Sequence, residues 1–394
     1  MKTPLTLLAA ALATSAFAVP PNAADPAEQK KAEELVRQLA SPSYRDREKA
    51  ATALIQMGRA ARTALVEGKK SADAEVYNRC EQILPQAQAL DLAFRLDRFL
   101  KDTDGKLEHD LPLWKQYREK IGTDDPARKL YAEMIKANGV LLAAVEEEPK
   151  RATLRVQQRY HEMYQEMFGS PNGLGRANYR PTALNAAELC CVLFAAAQPA
   201  YEPGERGQPD WMLANLYTQA VFANQLRDER AGVAYRKVFF NFLEARMDEN
   251  TINNSVWTLC QYKLKEGADL MVKALKQKKI GQVYTKASAI CCIGTLGSKE
   301  HLAAIADYLK DETEVQKFVG RLGRGTVKIQ DVALAMSIHL SGKNPKDFGF
   351  AQWNVYPNQL IQYHQLGFTS DEDRAAAFKK WDEEAKTPTT PAKK

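Results

Sequence analysis

Apolar residues recur along this chain with the spacing of helix faces. Ala32, Leu35, Val36 and Leu39 fall at i, i+3, i+4 and i+7, a stripe on a helix that Asp25 can cap, with Pro26 in its first turn and Glu28 placed to reach back. After Pro42, Ser43 and Asp46 repeat that start, and Ala50, Ala51, Leu54 and Ile55 form the next stripe until Gly58 stops it. A shorter helix runs from Ala60 to Glu67 and closes at Gly68. Another opens at Asp73, carries Val76, Tyr77, Cys80, Ile83 and Leu84, is interrupted by Pro85, and resumes to Leu100. Asp125-Pro126 opens a helix through Leu130, Met134 and Ala137, Leu154 to Phe168 reads as helix, and Asp210 caps a helix of Leu213, Leu216, Tyr217 and Ala220. Glycine- and proline-rich loops at Gly169 to Pro181 and Pro199 to Pro209 are the clearest interruptions. Strand-like alternation is confined to Val327 and Ile329, too short to specify a sheet.

The phrasing repeats late in the chain. Ala289, Ile293, Leu296 and Gly297 have the mutual spacing of Ala50, Leu54, Met57 and Gly58, and each set is followed by a second helix, here Ser298-capped with Leu302, Ile305, Ala306 and Leu309 on one side. Weaker copies are Val256 to Lys263 with Gly267 and Leu270 to Leu275, and Val332 to Leu340 with Gly342; the spacing is compatible with divergent two-helix repeats of ~40 residues. The expected fold is all-α: a HEAT-like α-solenoid, or α-α superhelix, with a helical middle section and a C-terminal cap. Its expected divisions are a signal peptide (1–18), a linker (19–26), N-terminal HEAT-like helices (27–100), the middle section with its loops (101–210), C-terminal repeats (211–342), the cap (343–386) and a disordered tail (387–394).

Particular segments resemble the exported HEAT-like proteins of planctomycete bacteria. They are Leu39-Ala40-Ser41-Pro42-Ser43-Tyr44-Arg45-Asp46-Arg47-Glu48-Lys49-Ala50, then Leu54 to Gly58, and Ala72-Asp73-Ala74-Glu75-Val76 before Arg79. Leu111-Pro112-Leu113-Trp114 with Arg128-Lys129-Leu130-Tyr131, and Val332-Ala333-Leu334-Ala335-Met336 through Lys346-Asp347-Phe348-Gly349-Phe350, are similar to that group as well. The resemblance implies an extended helical surface used for binding and brings no catalytic residues to carry over.

The amino terminus changes the setting. Lys2, an apolar run from Leu5 to Ala13, and Ala16-Phe17-Ala18 have the order of a secretory signal, with cleavage expected after Ala18. The run is shorter than the roughly 20 residues that span a bilayer, and no later segment is long enough, so the product after cleavage is expected to be periplasmic or secreted with no transmembrane span. At 394 residues, 45% hydrophobic and 26% charged, the chain has an ordinary globular balance. Net charge of +6 with a pI near 8.8 is mild for this surface and favours a solvated mixture over a dedicated polyanion footprint. Export permits disulfides among Cys80, Cys190, Cys191, Cys260, Cys291 and Cys292, and six thiols allow about 15 full pairings. Their apolar neighbours favour core thiols.

Catalytic handles are missing from the sequence. His161-Glu162 begins a zinc-protease fragment, but Gln165 stands where the second histidine belongs, and the five histidines, at 109, 161, 301, 339 and 364, include no pair at i, i+3 or i+4. His339, in an apolar helix, is the one expected to be buried. There is no Gly-x-Ser-x-Gly elbow and no phosphate-binding loop, so no metal, cofactor or catalytic residue is assigned. Asp124-Asp125 and Glu146 to Glu148 read as solvated helix ends.

Two binding candidates remain. Arg321, Arg324 and Lys328 flank Gly323 and Gly325, where a backbone free to approach a ligand beside cations suits an anion or a partner, but an ordinary inter-helix loop is the favoured reading of the segment. Lys276, Lys278 and Lys279 close a nearby helix and would extend a basic strip if both lay on one face. Phe348, Phe350, Trp353 and Tyr356, with Tyr363, form a cap over the last repeat or line a groove. The leading expectation is an exported non-enzymatic scaffold that binds a protein partner through the solenoid surface. One rival is an enzyme acting on a polymer near the loops from Gly169 to Asp210; the other is an anionic-polymer-binding module, with export arguing against genomic DNA as its ligand.

Overall fold

A computed structural model describes residues 25–103, 107, 109–169, 184–202, 208–320 and 323–386. The expected signal segment, the linker up to residue 24, most of the loop after Gly169, Arg321 and the tail 387–394 lie outside the described residues. Those described are mostly helical, as the apolar periodicity predicts, with one short pair of strands that it does not. They divide into two compact units, 1–111 and 112–394.

In the first unit, α1 (Pro26–Gln38), α2 (Tyr44–Met57), α3 (Arg62–Gly68) and α4 (Ala74–Lys101) enclose Ala32, Leu39, Ala50, Leu54, Leu65, Val76, Cys80 and Ile83. Asp25 accepts from the Ala27 amide at 3.0 Å and Ser43 from the Asp46 amide at 3.4 Å, so two of the expected helix starts are capped as read. Consecutive and alternate helices both pack together: α1 meets α2 and α3, and α4 meets α2 and α3. Pro85 does not interrupt α4, which runs unbroken for 28 residues. A proline inside a helix costs about 3 kcal/mol. Cys80 and Ile83 before it and Ala87 after it are buried in the core that α4 shares with α2 and α3, and burial at about 1.5–3 kcal/mol per large side chain outweighs that cost. Near the end of the unit the buried His109 ring meets Asp102 at 2.8 Å, edge-on to Phe99.

The second unit contains α5 (Trp114–Lys120), α6 (Asp125–Glu147), α7 (Ala152–Phe168), α8 (Ala186–Ala196), α9 (Gln208–Tyr217), α10 (Ala220–Arg227) and α11 (Gly232–Ala245). Every residue of α8 except Glu188 is buried, the pattern of a central helix, and α6, α7 and α11 pack around it. Trp114, Tyr117 and Tyr131 form one aromatic cluster of tilted and edge-on rings with Phe194 of α8. Asp210, expected as a cap, falls inside α9. Beyond lie α12 (Glu249–Gln261), α13 (Glu266–Lys276), α14 (Val283–Leu296), α15 (Leu302–Ala306), β1 (Glu314–Gly320), β2 (Gly323–Lys328), α16 (Ile329–Leu340) and α17 (Asp371–Lys386). Helix α12 packs on α14, and α14 on α16, with α13 against α14. Ala287 to Gly294 of α14 and Val332 to Ile338 of α16 are unbroken buried runs, which places the core of this end between them.

The expectation of a plain loop is corrected over its described part, 323–328: β1 and β2 pair antiparallel, Val319 with Arg324 and Phe318 with Gly325. A bulge between Glu314 and Gln316 shifts the register there, so the two-residue period that marks a strand is broken in the sequence. All six cysteines are buried with free thiols.

Candidate binding site

The carboxyl-terminal end of the second unit is organised around a buried ion pair. Strand β2 lies between β1 and Phe368, whose amide and carbonyl both bond Thr326, at 3.2 and 3.0 Å. From α17, Arg374 crosses beneath this junction: its Nε donates to Asp331 of α16 at 2.9 Å and its terminal nitrogen to the Thr326 carbonyl at 3.1 Å. Asp331 also accepts from the Lys328 amide at 2.9 Å, which caps α16. Burial pushes the Asp331 carboxyl up, opposed by Arg374 and the Lys328 amide. One guanidinium thus ties the hairpin, α16 and α17 together.

Above that pair a cleft of about 490 Å³ opens between Phe318 of β1, Phe348, Phe368 and α17, with Asp347, Asp373 and Lys380 among its polar lining. Gly367 makes the packing feasible: a Cβ there would lie 2.6 Å from both Phe318 Cε1 and the Thr326 carbonyl oxygen. Gly325 has the same role, since a side chain would collide with the Phe318 ring and the Phe368 carbonyl. Its small size serves internal contact, without need of a ligand. The Lys380 ammonium sits 4.9 Å from the centre of the Phe348 ring and donates to the Asp347 carbonyl at 2.7 Å. The outer edge of β1, among the described residues, has no strand partner, and Val319 on it is 80% exposed.

A second cleft, of about 250 Å³, is lined by Cys260, Lys263, Lys265, His339 and Tyr356. A wider one of about 740 Å³ brings Arg227 and Arg236 near the same two lysines, together with Glu229 and Glu266. Non-glycine residues with left-handed backbone stand in these walls at Lys263 (φ 55°) and Asn358 (φ 59°).

The anticipated residues are distributed unevenly over this end. Phe348, Phe350 and Trp353 are buried: Phe350 packs 4.8 Å from Phe368, centre to centre, and Trp353 packs 5.2 Å from His339. Only Phe348 also lines the first cleft, and Tyr356, half exposed, lines the second. Arg324 is exposed on β2. Lys328 is mostly covered and stands 3.7 Å from Glu312 and 3.9 Å from Asp371, so its charge is balanced locally. Lys276 in the last turn of α13, and Lys278 and Lys279 in the turn that follows, are exposed and line neither the first cleft nor the second. Phe318, Phe368 and Arg374 escape sequence patterning because none of them falls on a helical stripe; the available hint is Gly367 beside Phe368.

Other candidate chemistry resolves into packing. His161 bonds Gln165 at 2.8 Å, and Glu162 holds Arg159 at 2.9 Å in a group completed by Glu166 and Glu188. His339 is half-buried, so the expectation that it would be the buried histidine is corrected in favour of His109. Asp124 caps α6 through the Ala127 amide at 2.9 Å. Among the described residues no group of three or more His, Cys, Asp or Glu is placed to hold a metal ion, and no helix is long and apolar enough to cross a membrane. No protein-family model, curated protein or solved structure matches the chain.

Proposed function

We propose that this protein is an exported interaction scaffold of HEAT-like helix pairs, and that it binds an extended segment of a protein partner along β1 and the adjoining cleft. The observation that carries the reading is the open edge of β1, with Val319 exposed on it and the Phe318 ring in the cleft beside it. An unpaired edge offers a row of backbone donors and acceptors to an incoming strand, and a neighbouring cleft gives alternate side chains of that strand somewhere to go. Lys317, 77% exposed on the same strand, discourages indiscriminate pairing. The packing of alternate helices, α1 on α3, α2 on α4, and α12 on α14 on α16, supports the helix-pair solenoid, as do the segments similar to exported HEAT-like proteins.

Cross-linked capture from envelope extracts tests it. The wild-type chain is expected to retain a discrete partner, and Val319→Lys and Phe318→Ala are each expected to reduce its recovery at least tenfold, roughly the effect of losing one anchor side chain. Equal recovery by all three chains, or no partner at all, contradicts the reading. A second reading, anionic-polymer binding, is favoured by Arg227, Arg236, Lys263 and Lys265 around the cleft of about 740 Å³; it requires retention on a sulfated glycan that falls steeply with salt.

A further inference from the structure

Two buried thiols of the second unit touch across packed helices. Cys260 lies on α12 and Cys292 on the adjacent α14, with their sulfurs 3.8 Å apart. Sulfurs at that distance are in van der Waals contact, and a disulfide needs them at about 2.05 Å. The two residues are not equivalent. Both are buried, Cys260 at 1% exposed and Cys292 at 0%, but only Cys260 forms part of the wall of the second cleft. Lys263 and Lys265 line the same cleft and place positive charge at its mouth. Of the remaining cysteines, the Cys191 thiol donates to the Met134 carbonyl, Cys190 is its neighbour on α8, Cys291 is the neighbour of Cys292 on α14, and Cys80 belongs to the other unit.

We propose that Cys260 and Cys292 form a redox-active dithiol that closes to an intramolecular disulfide, Cys260 reacting with an external low-molecular-weight disulfide in the cleft and Cys292 resolving the product. The Cys260 thiolate attacks one sulfur of the external disulfide, forming a mixed disulfide and releasing one thiol. The Cys292 thiolate then attacks the Cys260 sulfur, forming the protein disulfide and releasing the second thiol. Two protein thiols are oxidised, one external disulfide is reduced, and the two protons lost by the protein thiols are taken up by the two expelled thiolates. The lysines favour a donor that carries carboxylates, such as glutathione disulfide. Contact with Cys260 and burial hold the Cys292 thiol well above the usual range, which makes resolution the slow step and lets the mixed disulfide accumulate. This chemistry is independent of partner binding at β1, and its test needs no partner.

The full chain, purified reduced and kept folded, is treated with glutathione disulfide at mildly alkaline pH, then analysed by intact mass and peptide mapping. Wild type is expected to lose two of its six thiols and to yield a peptide joining Cys260 to Cys292. Cys292→Ser is expected to stop at one glutathionyl group on Cys260, and Cys260→Ser to leave Cys292 unmodified. Lys263→Glu with Lys265→Glu is expected to slow the first step roughly tenfold at low salt. A folded wild-type chain that retains all six thiols overturns the proposal, as does a bridge through Cys291 or an adduct on Cys292 in Cys260→Ser. The wild-type peptide map decides the pairing even where a serine variant fails to fold.

Discussion

Arg374 is 6% exposed and Asp331 is completely buried, so neither charge can turn to water if the other is lost. Removing one partner of such a pair typically costs about 3–5 kcal/mol, whereas an apolar replacement of both is often close to neutral. Arg374→Met is therefore expected to lower the stability of the second unit by about that amount at neutral pH, read from the midpoint of urea unfolding, and Asp331→Leu combined with Arg374→Met to recover most of it. The pH dependence has a definite sign. Because burial raises the Asp331 carboxyl in the folded chain, the neutral acid is the form the interior tolerates. Its contribution is fully present below the ordinary carboxylate range and is lost as pH rises through the raised value. The damage in Arg374→Met should accordingly shrink towards pH 4, close to the ordinary aspartate pKa. A single variant as stable as wild type at neutral pH would show that the pair is dispensable.

Helix α6 shows how an element can depart from its own periodicity. At Asn138 the backbone leaves helical geometry, and the Met134 carbonyl, which in an unbroken helix would accept from the Asn138 amide, accepts from the Cys191 thiol at 3.0 Å. Asn138 then restarts the helix, its Oδ1 accepting from the Leu141 amide at 3.1 Å while its amide nitrogen donates to Glu188 at 3.1 Å. It acts as an N-cap inside a helix, so Asn138→Ala is expected to cost about 1–2 kcal/mol, measured by thermal or urea unfolding; an unchanged midpoint would deny it that role. The apolar stripes and the Asp25 and Ser43 caps are local signals, and those were legible in the sequence. Pro85 was misread because its cost is local while the burial of Ile83 and Ala87 that offsets it is tertiary. The hairpin was hidden by its bulge, and the bend at Asn138 depends on a thiol more than fifty residues away, at Cys191. The cleft was illegible for a related reason: Phe318, Phe348 and Phe368 come from three separate segments, and only Phe348 stood in a run of aromatics.

At the scale of the whole molecule, each unit is a set of helices that bury little alone and much together. Alternate helices pack side by side in both, and the most apolar helices, α8, α14 and α16, lie innermost in the second. In the second unit the aromatic segment packs with α17 and Phe368 beside the hairpin, while the outer edge of β1 has no strand partner among the described residues. Partner binding is thus assigned to the place where regular helix packing ends. Hydrogen exchange on the full chain, free and with its captured partner bound, tests that assignment most directly. The account predicts slowed exchange confined to the β1 amides at 314–320 and to the cleft walls at 347–352 and 367–369, with the first unit unchanged. Protection centred on the first unit or on the α13 lysines, with β1 exchanging as in the free chain, would contradict it.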